Sequence, residues 1–419
     1  MKFNKWTLGL AAIGVVSLAS EAREDEKMNA LQTALSNTTI SGYVDVSAQW
    51  NLGSQHGLYG LVGNTPGYSY GGINKADGFN LNAVDIAFDK PKDESPWAAG
   101  YHIEMMFGPD NPAKPTVGTV GGVNTGPILN QILGPFGTLR QAYVVLRTPI
   151  GNGIDWKIGV FDTIIGYEST SDPLNPNFTR SYGYSIEPTT HTGILGTYKI
   201  NDIITIQAGV ADSSNVGTLV QPINGRAAYE TQKTILGAIA LTAPDSMGFM
   251  KGATLNFGAI NSIDSNKTVL GAGTPGSTSY YVGATIPTPL TALKVGAAFD
   301  YLDLHNASVA NSMDDSAWNI ALYGAYQATD KLSFNARAEY LSDGTGLLYP
   351  SAGGTPYSAV AEEFTATMEY NLWANVISRV EFRWDHVEHG NSFDSSTPGG
   401  STADHANAYL IALNLIYQF

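Results

Sequence analysis

The segment ANAYLIALNLIYQF, residues Ala406–Phe419, is the stretch of this sequence that decides the fold. From Tyr409 onward every second residue is apolar or aromatic, and the series is Tyr409, Ile411, Leu413, Leu415, Tyr417 and Phe419. Leu410 and Ile416 fall between these positions and interrupt a set that is otherwise small or polar. Because successive side chains of a strand point to opposite faces, a period of two predicts a β-strand with one apolar face.

A strand whose apolar face ends on an aromatic residue is typical of a sheet that lies in lipid. Such a sheet must close on itself, because an unpaired backbone group in lipid costs several kcal/mol. We therefore expect Ala406–Phe419 to be the last strand of a closed antiparallel barrel and to pair with the first. In this interpretation Phe419 ends the closing strand.

The composition agrees with strands that alternate between lipid and water. Only 14% of the 419 residues are charged, against a usual ~25%, and mean hydropathy is −0.07. Outside the N-terminus no apolar run is long enough to predict a membrane helix. The absence of Cys excludes thiol catalysis and disulfides, and a net charge of −15 argues against a nucleic-acid partner.

The N-terminus has the pattern of a secretory signal peptide, which we predict over residues 1–22. Lys2 and Lys5 form a basic start, and Trp6–Leu18 forms an apolar core that is too short to span a bilayer. Small residues follow this core and provide a plausible cleavage region. The pattern indicates export across the inner membrane.

Residues 23–37 predict a short periplasmic amphipathic leader, because Met28, Leu31 and Leu35 would share one helical face. From residue 38 onward the chain changes to a repeated alternation of apolar and polar residues. We therefore assign residues 38–419 to a single transmembrane β-barrel domain. Its alternating segments number about sixteen and have roughly ten residues each, the length that a tilted membrane strand requires.

The connections between these segments alternate in length. Seven short links are predicted at 91–95, 149–153, 201–202, 243–248, 287–291, 329–330 and around Trp373. Eight long polar loops are predicted at 52–78, 108–138, 163–190, 212–231, 261–277, 303–316, 342–360 and 388–404. This rhythm predicts an all-β, up-and-down barrel of about 16 strands with long extracellular loops and short periplasmic turns.

Tryptophan positions support two membrane interfaces. Trp97, Trp156 and Trp373 lie beside predicted short turns, whereas Trp50, Trp318 and Trp384 lie beside predicted long loops. Aromatic residues are enriched at both membrane surfaces. We therefore predict that these six residues and Phe419 form interface girdles.

The third long loop carries a resemblance to a known family. Residues Phe161–Lys199 contain Gly166 and Glu168 after a strand, then a Pro/Asn stretch, an aromatic-x-Arg-Ser run and an H-T-G at the next strand. The positions in the later part of this pattern are Asn175, Asn177, Phe178, Arg180, Ser181, His191, Thr192 and Gly193. This pattern resembles the OmpL-like family of bacterial outer-membrane β-barrel porins. The detailed match covers about forty residues, and the barrel pattern extends it over residues 38–419.

This resemblance implies a location in the bacterial outer membrane and a passive, water-filled channel for small hydrophilic solutes and ions. In porins of similar strand number the third loop folds into the lumen and faces a basic wall. Here that comparison sets Glu168, Asp172 and Glu187 of the loop against the lumen-facing residues of later strands, which are Arg337, Arg379, Arg383 and the neighbouring Glu381. Charged rings of this kind select permeants by sign and size. An ion-pair ladder that only stiffens the wall is the alternative.

The partners implied are outer-membrane lipid, the permeating solutes or ions, and further copies of the chain in a homotrimer. No cofactor and no metal site is expected. Gly67–Gly71 matches G-x-S-x-G, and His386, Glu388 and His389 contain metal-ligating side chains, but neither lies in the context that its chemistry requires. Two alternatives to a porin stay open: a plugged structural or adhesive barrel, and an outer-membrane enzyme with a site in its loops.

Overall fold

A computed structural model describes residues 37–52, 75, 77–111, 119–120, 123–124, 139–212, 233–262, 276–305, 315–345, 348, 359–388, 393–394 and 403–419. The chain divides into two units, Met1–Thr39 and Ile40–Phe419. The second unit forms the barrel. The predicted signal peptide and nearly all of the predicted leader lie outside the described residues, as does the Gly67–Gly71 motif.

Sixteen antiparallel strands form one closed barrel in which each strand is hydrogen-bonded to its neighbours in sequence, and the last is hydrogen-bonded to the first. The strands are β1 Thr39–Leu52, β2 Gly78–Lys90, β3 Ala98–Phe107, β4 Leu139–Thr148, β5 Ile154–Asp162, β6 Thr190–Lys199, β7 Ile204–Ala211, β8 Thr234–Thr242, β9 Thr254–Ser262, β10 Gly276–Pro287, β11 Leu293–His305, β12 Ser316–Gln327, β13 Leu332–Asp343, β14 Ala359–Trp373, β15 Val376–Val387 and β16 Asn407–Gln418. The predicted fold class and strand number are confirmed.

The seam between β1 and β16 closes the barrel where the sequence predicts it. The two strands pair from Tyr43 opposite Gln418 to Leu52 opposite Tyr409. Beyond this register the Phe419 N–H donates to the Gly42 carbonyl at 3.0 Å, and the Gly42 N–H donates to the Phe419 carbonyl at 3.1 Å. The last residue therefore belongs to the closing ladder.

The alternation of short and long connections is also confirmed. The strand bounds leave seven links of 2 to 11 residues at one end of the barrel and eight of 10 to 31 at the other, and each of the eight is longer than the links on either side of it. Two long connections contain short paired segments, Thr119–Val120 with Val123–Asn124 and Phe393–Asp394 with Ala403–His405. Among the described residues no helix is long and apolar enough to cross a bilayer.

The two faces of the sheet differ as the alternation predicts. On β16 the outward side chains are exposed, with Leu413 at 45%, whereas inward Leu410 and Ile416 are fully buried. These two residues break the polar series because each has an apolar partner inside the barrel. Leu410 packs with Phe178, and Ile416 packs with Tyr43.

Five tryptophans lie within strands and point outward: Trp50, Trp156, Trp318, Trp373 and Trp384. Trp97, just before β3, is 72% exposed. Trp50 and Trp373 are 41% and 67% exposed. Trp384 donates its indole N–H to Asn407 Oδ1 at 2.9 Å, and Trp156 donates to Thr148 Oγ1 at 3.0 Å. An apolar ring with a bonded polar edge suits a membrane interface, and the interface role itself stays a prediction.

Candidate functional site

The candidate site is built from residues 163–189, which connect β5 to β6 and are called loop 3 below. Loop 3 contains a 3-10 turn, Asp172–Leu174, and a short helix α1, Tyr182–Ile186. Ser181 caps α1, because its Oγ accepts the Tyr184 N–H at 3.0 Å. The residues from Asn177 through Pro188 are buried, and they contact inward-facing side chains of the barrel wall.

A buried irregular segment needs partners for its backbone groups, since an unpaired N–H or C=O away from water is costly. Wall side chains supply these partners. The Glu381 carboxylate accepts the Phe178 N–H at 2.6 Å and the Thr179 N–H at 2.9 Å. Asn335 donates its Nδ2 to the Pro176 carbonyl at 3.1 Å. Polar and charged side chains of the wall therefore supply the hydrogen bonds that regular secondary structure would otherwise give to the backbone of loop 3.

Arg337 of β13 is the most connected of these anchors and is fully buried. Its Nη1 donates to Glu168 Oε1 of loop 3 at 2.7 Å and to the Thr179 carbonyl at 2.8 Å. Its Nε lies 3.1 Å from Glu339 and 3.2 Å from Glu363. One guanidinium thus compensates one loop carboxylate and two wall carboxylates.

Arg383 of β15 and Tyr182 of α1 form a second anchor. Arg383 donates Nη1 to the Arg180 carbonyl at 2.6 Å and pairs with Asp385 at 2.7 Å. The Tyr182 hydroxyl donates to Asp385 Oδ1 at 2.7 Å, and its backbone N–H donates to Glu339 at 2.9 Å. Both ends of this tyrosine are therefore attached to the wall.

Arg379 of β15 holds the tip of loop 3. Its Nη2 donates to the Asn175 carbonyl at 2.6 Å, and its Nε donates to Glu369 at 2.8 Å. Asn175 organises the turn itself, because its Nδ2 donates to the Ser169 carbonyl at 2.7 Å and its Oδ1 accepts the Ser169 N–H at 2.8 Å. The buried Arg180 guanidinium pairs with Asp172, also within the loop.

The remaining residues of the family-like pattern also have structural partners. Asn177 donates to Thr367 Oγ1 at 2.7 Å, and Phe178 packs with Leu410 and Ala412. The Ser181 N–H donates to Glu168 at 2.8 Å. His191 Nε2 lies 3.2 Å from Thr163 Oγ1, and Gly193 pairs with Gly159 across β5 and β6.

Gly166 occupies a position that only glycine suits. Its φ is +113°, and a Cβ there would lie 2.5 Å from Glu187 Oε2.

Glu187 is buried beside the inward-facing Asp300 of β11, to which it is hydrogen-bonded. The pKa of the Glu187 carboxyl is raised well above its usual range because burial penalises its charge and Asp300 repels it, with further repulsion from Glu168 and Glu339.

This pair makes the docking of loop 3 dependent on pH. A carboxyl whose pKa rises on docking favours the docked state when it is protonated. Docking is therefore strongest below the free carboxyl pKa of about 4.3 and weakens as the pH rises through the raised value. Hydrogen exchange of residues 182–190, corrected for intrinsic rates, should speed up with pH in the native protein. Glu187→Gln should weaken that dependence, and a variant with the native dependence would contradict this role.

The predicted constriction residues are only partly brought together. Glu168 and Arg337 form an ion pair across loop and wall. Asp172 instead pairs with Arg180 of its own loop, and Glu187 lies beside Asp300. The three wall arginines are buried under loop 3 and alternate with five wall carboxylates, which are Glu339, Glu363, Glu369, Glu381 and Asp385.

Sequence reasoning missed several of these anchors. Asp300 lies on the inward face of β11, so its alternation could have identified it as a lumen residue. Tyr182, the aromatic anchor of α1, had no such signal, because a tyrosine in a loop carries no periodic pattern. Its partner Asp385 is 203 residues away in sequence.

Loop 3 borders a cavity of about 760 Å³ on the side of the short connections. Polar wall side chains and loop residues line it, among them Asn256, Lys294, Asn335, Glu369, Tyr167 and Pro173. A cavity of mixed polarity inside a barrel whose outer face is apolar can hold water and small hydrophilic solutes.

Comparison with protein families gives a match over nearly the whole chain. The family described as "Putative beta-barrel porin-2, OmpL-like" matches residues 37–419. The chain belongs to this family. The resemblance carried by loop 3 is thereby confirmed. A search of curated proteins found no match.

Solved outer-membrane proteins share the fold at low sequence identity. OmpF of Salmonella typhi, solved in complex with daunomycin, is 13% identical, with a TM-score of 0.57 over 91% of this chain and 97% of that chain. An anion-selective porin from Comamonas acidovorans is 11% identical, with a TM-score of 0.54 over 91% and 99%. OmpT of Vibrio cholerae, folded in vitro and in trimer form, is 11% identical, with a TM-score of 0.51 over 91% and 99%.

Proposed function

We propose that this porin-family barrel is a passive diffusion channel for small hydrophilic solutes and ions in the bacterial outer membrane, and that it is not an enzyme. The observation that carries the proposal is the partly polar cavity beside loop 3 inside a closed barrel with an apolar outer face. The signal peptide over residues 1–22 would direct the chain to the envelope. The leader 23–37 would stay periplasmic, and the tryptophans with Phe419 would lie at the membrane interfaces.

Loop 3 narrows the channel in this proposal. Arg337, Arg379 and Arg383 act mainly by holding the loop, because all three are buried beneath it. Five wall carboxylates outnumber the three arginines, and Glu168 of the loop adds further negative charge. Charge near a constriction concentrates ions of opposite sign. A preference for cations follows.

Single-channel recording in planar bilayers across a salt gradient tests the proposal. Stable ohmic steps are expected, with a reversal potential that shows cation preference. Neutralising the wall with Arg379→Gln and Arg383→Gln should move the reversal potential further toward cations. Steps in groups of three would support a homotrimer, the state named for the Vibrio cholerae relative.

A plugged structural barrel is the second candidate, and packing above loop 3 favours it. Leu348 and Phe393, from two other long connections, join Tyr182 and Ile186 in one buried apolar cluster. This cluster covers part of loop 3 from the side of the long connections. If folded, heat-modifiable protein gives no conductance steps in the same bilayer experiment, the result would support the plugged barrel and reject the channel.

A further inference from the structure

Three carboxylates from distant segments meet beside the tip of loop 3. Asp45 lies on β1, Asp110 follows β3, and Asp172 begins the 3-10 turn of loop 3. One oxygen of each lies within 4.8 Å of the others. Asp45 and Asp172 are buried, and Asp110 is partly buried. Like charges at this distance and burial repel strongly unless something compensates them.

The protein supplies less positive charge than the cluster requires. Lys75 pairs with Asp110 at 2.6 Å, and Arg180 pairs with Asp172. The contacts of Asp45 are neutral amides: Oδ1 accepts from Asn82 Nδ2 at 2.7 Å and from Asn414 Nδ2 at 2.5 Å. Two cations therefore face three carboxylates.

Buried oxygen atoms at the cluster also lack donors. Asp172 Oδ2 and Asn414 Oδ1 are buried and have no hydrogen-bond partner among the described residues. Asn414 is 4% exposed and donates its Nδ2 to Asp45 Oδ1, so the unpaired Oδ1 belongs to a side chain that contacts the cluster without being one of the carboxylates. An uncompensated buried acceptor is destabilising, and a ligand that accepts oxygen lone pairs removes this cost.

We propose that Asp45, Asp110 and Asp172 bind a calcium ion, with Asn414 Oδ1 as a neutral ligand, and that the ion ties loop 3 to β1 and to the chain after β3. Donors that are all oxygen select a hard cation over zinc or copper. Calcium fits better than magnesium, because magnesium demands near-octahedral geometry, whereas these ligands come from separate segments. The site lies at the end of loop 3 opposite the Glu187 pair, and its occupancy would hold the loop against the seam side of the barrel.

Calorimetric titration of calcium chloride into chelator-treated, full-length protein in detergent tests the site. One saturable binding event per chain is expected, with weaker binding of magnesium chloride. Asp110→Asn should weaken calcium binding about tenfold or more, and Asp110 is the safest substitution because it is only partly buried. Asp89→Asn, which removes an inward carboxylate of β2 outside the cluster, should leave the affinity unchanged.

Equal calcium affinity in the native protein and in Asp110→Asn would overturn the proposal, as would the absence of both a binding heat and a thermal shift in the native protein. A second measurement is available if the binding heat is too small to detect. Calcium should raise the temperature of heat modification in the native protein and not in Asp110→Asn. Equal shifts in both would overturn the site. Neither measurement depends on conductance, so the calcium site and the channel function can fail independently.

Discussion

Replacing Arg337 by methionine is expected to release loop 3 from the inner wall and to increase single-channel conductance. The substitution leaves Glu168, Glu339 and Glu363 buried without their shared guanidinium. Removing one partner of a buried ion pair costs about 3–5 kcal/mol. The cost falls on the docking of loop 3, because the barrel ladder does not use the Arg337 side chain.

Trypsin provides a direct readout of this release. Arg180 is the sole basic residue of loop 3 and is buried in the docked loop. Cleavage after Arg180, detected by mass spectrometry, should be slow in the native protein and much faster in Arg337→Met. Arg147→Met is the matched control, because Arg147 is partly exposed and lies 3.7 Å from Asp155, a pair worth about 0–1 kcal/mol. Resistance of Arg337→Met to cleavage at Arg180 would refute the anchoring role.

Replacing Glu381 by alanine should expose the backbone of loop 3 at two defined amides. The carboxylate accepts the N–H groups of Phe178 and Thr179, and hydrogen bonds to charged groups contribute about 1.5–3 kcal/mol each. Hydrogen exchange at these two amides should accelerate by about two orders of magnitude or more, since each 1.4 kcal/mol is tenfold. The change should be confined to loop 3 while the barrel strands stay protected.

Two variants separate this effect from a general change in charge. Glu381→Gln keeps one acceptor oxygen and should produce a smaller acceleration. Glu94→Ala removes a carboxylate from the exposed short turn between β2 and β3 and should leave Phe178 and Thr179 protected. If the Phe178 and Thr179 amides of the Glu381→Ala variant exchange at the native rate, the Glu381 carboxylate does not hold the loop.

Both predictions concern the same physical problem, which is how an irregular segment can be stable inside a barrel. Loop 3 has only one short helix and one 3-10 turn. Its backbone is satisfied by side chains of β13 to β15, and its apolar residues pack on the inward positions of the same strands and of β11, β12 and β16. Charged wall residues therefore determine the conformation of loop 3 inside the barrel.

Some features of the candidate site could be predicted from the sequence, and others could not. The alternation of side chains placed Arg337, Arg379, Glu381 and Arg383 on the lumen face. All four are buried inside the barrel, which agrees with that assignment. The pairing of Asp172 with Arg180 was missed, because loop conformation decides which of two nearby cations a carboxylate meets. The cluster of Asp45, Asp110 and Asp172 was missed as well, since its members are dispersed along the chain and meet only when the barrel closes.

The sequence by itself determined the architecture of this protein. Side-chain alternation is a local property of each strand, and the lengths of the connections separate one end of the barrel from the other, so both can be read without coordinates. Only the tertiary structure decided what fills the lumen. Phe178 meets Glu381 across 203 residues of sequence, and such contacts have no local periodicity because they depend on the curvature of the closed barrel and the path of loop 3 across it.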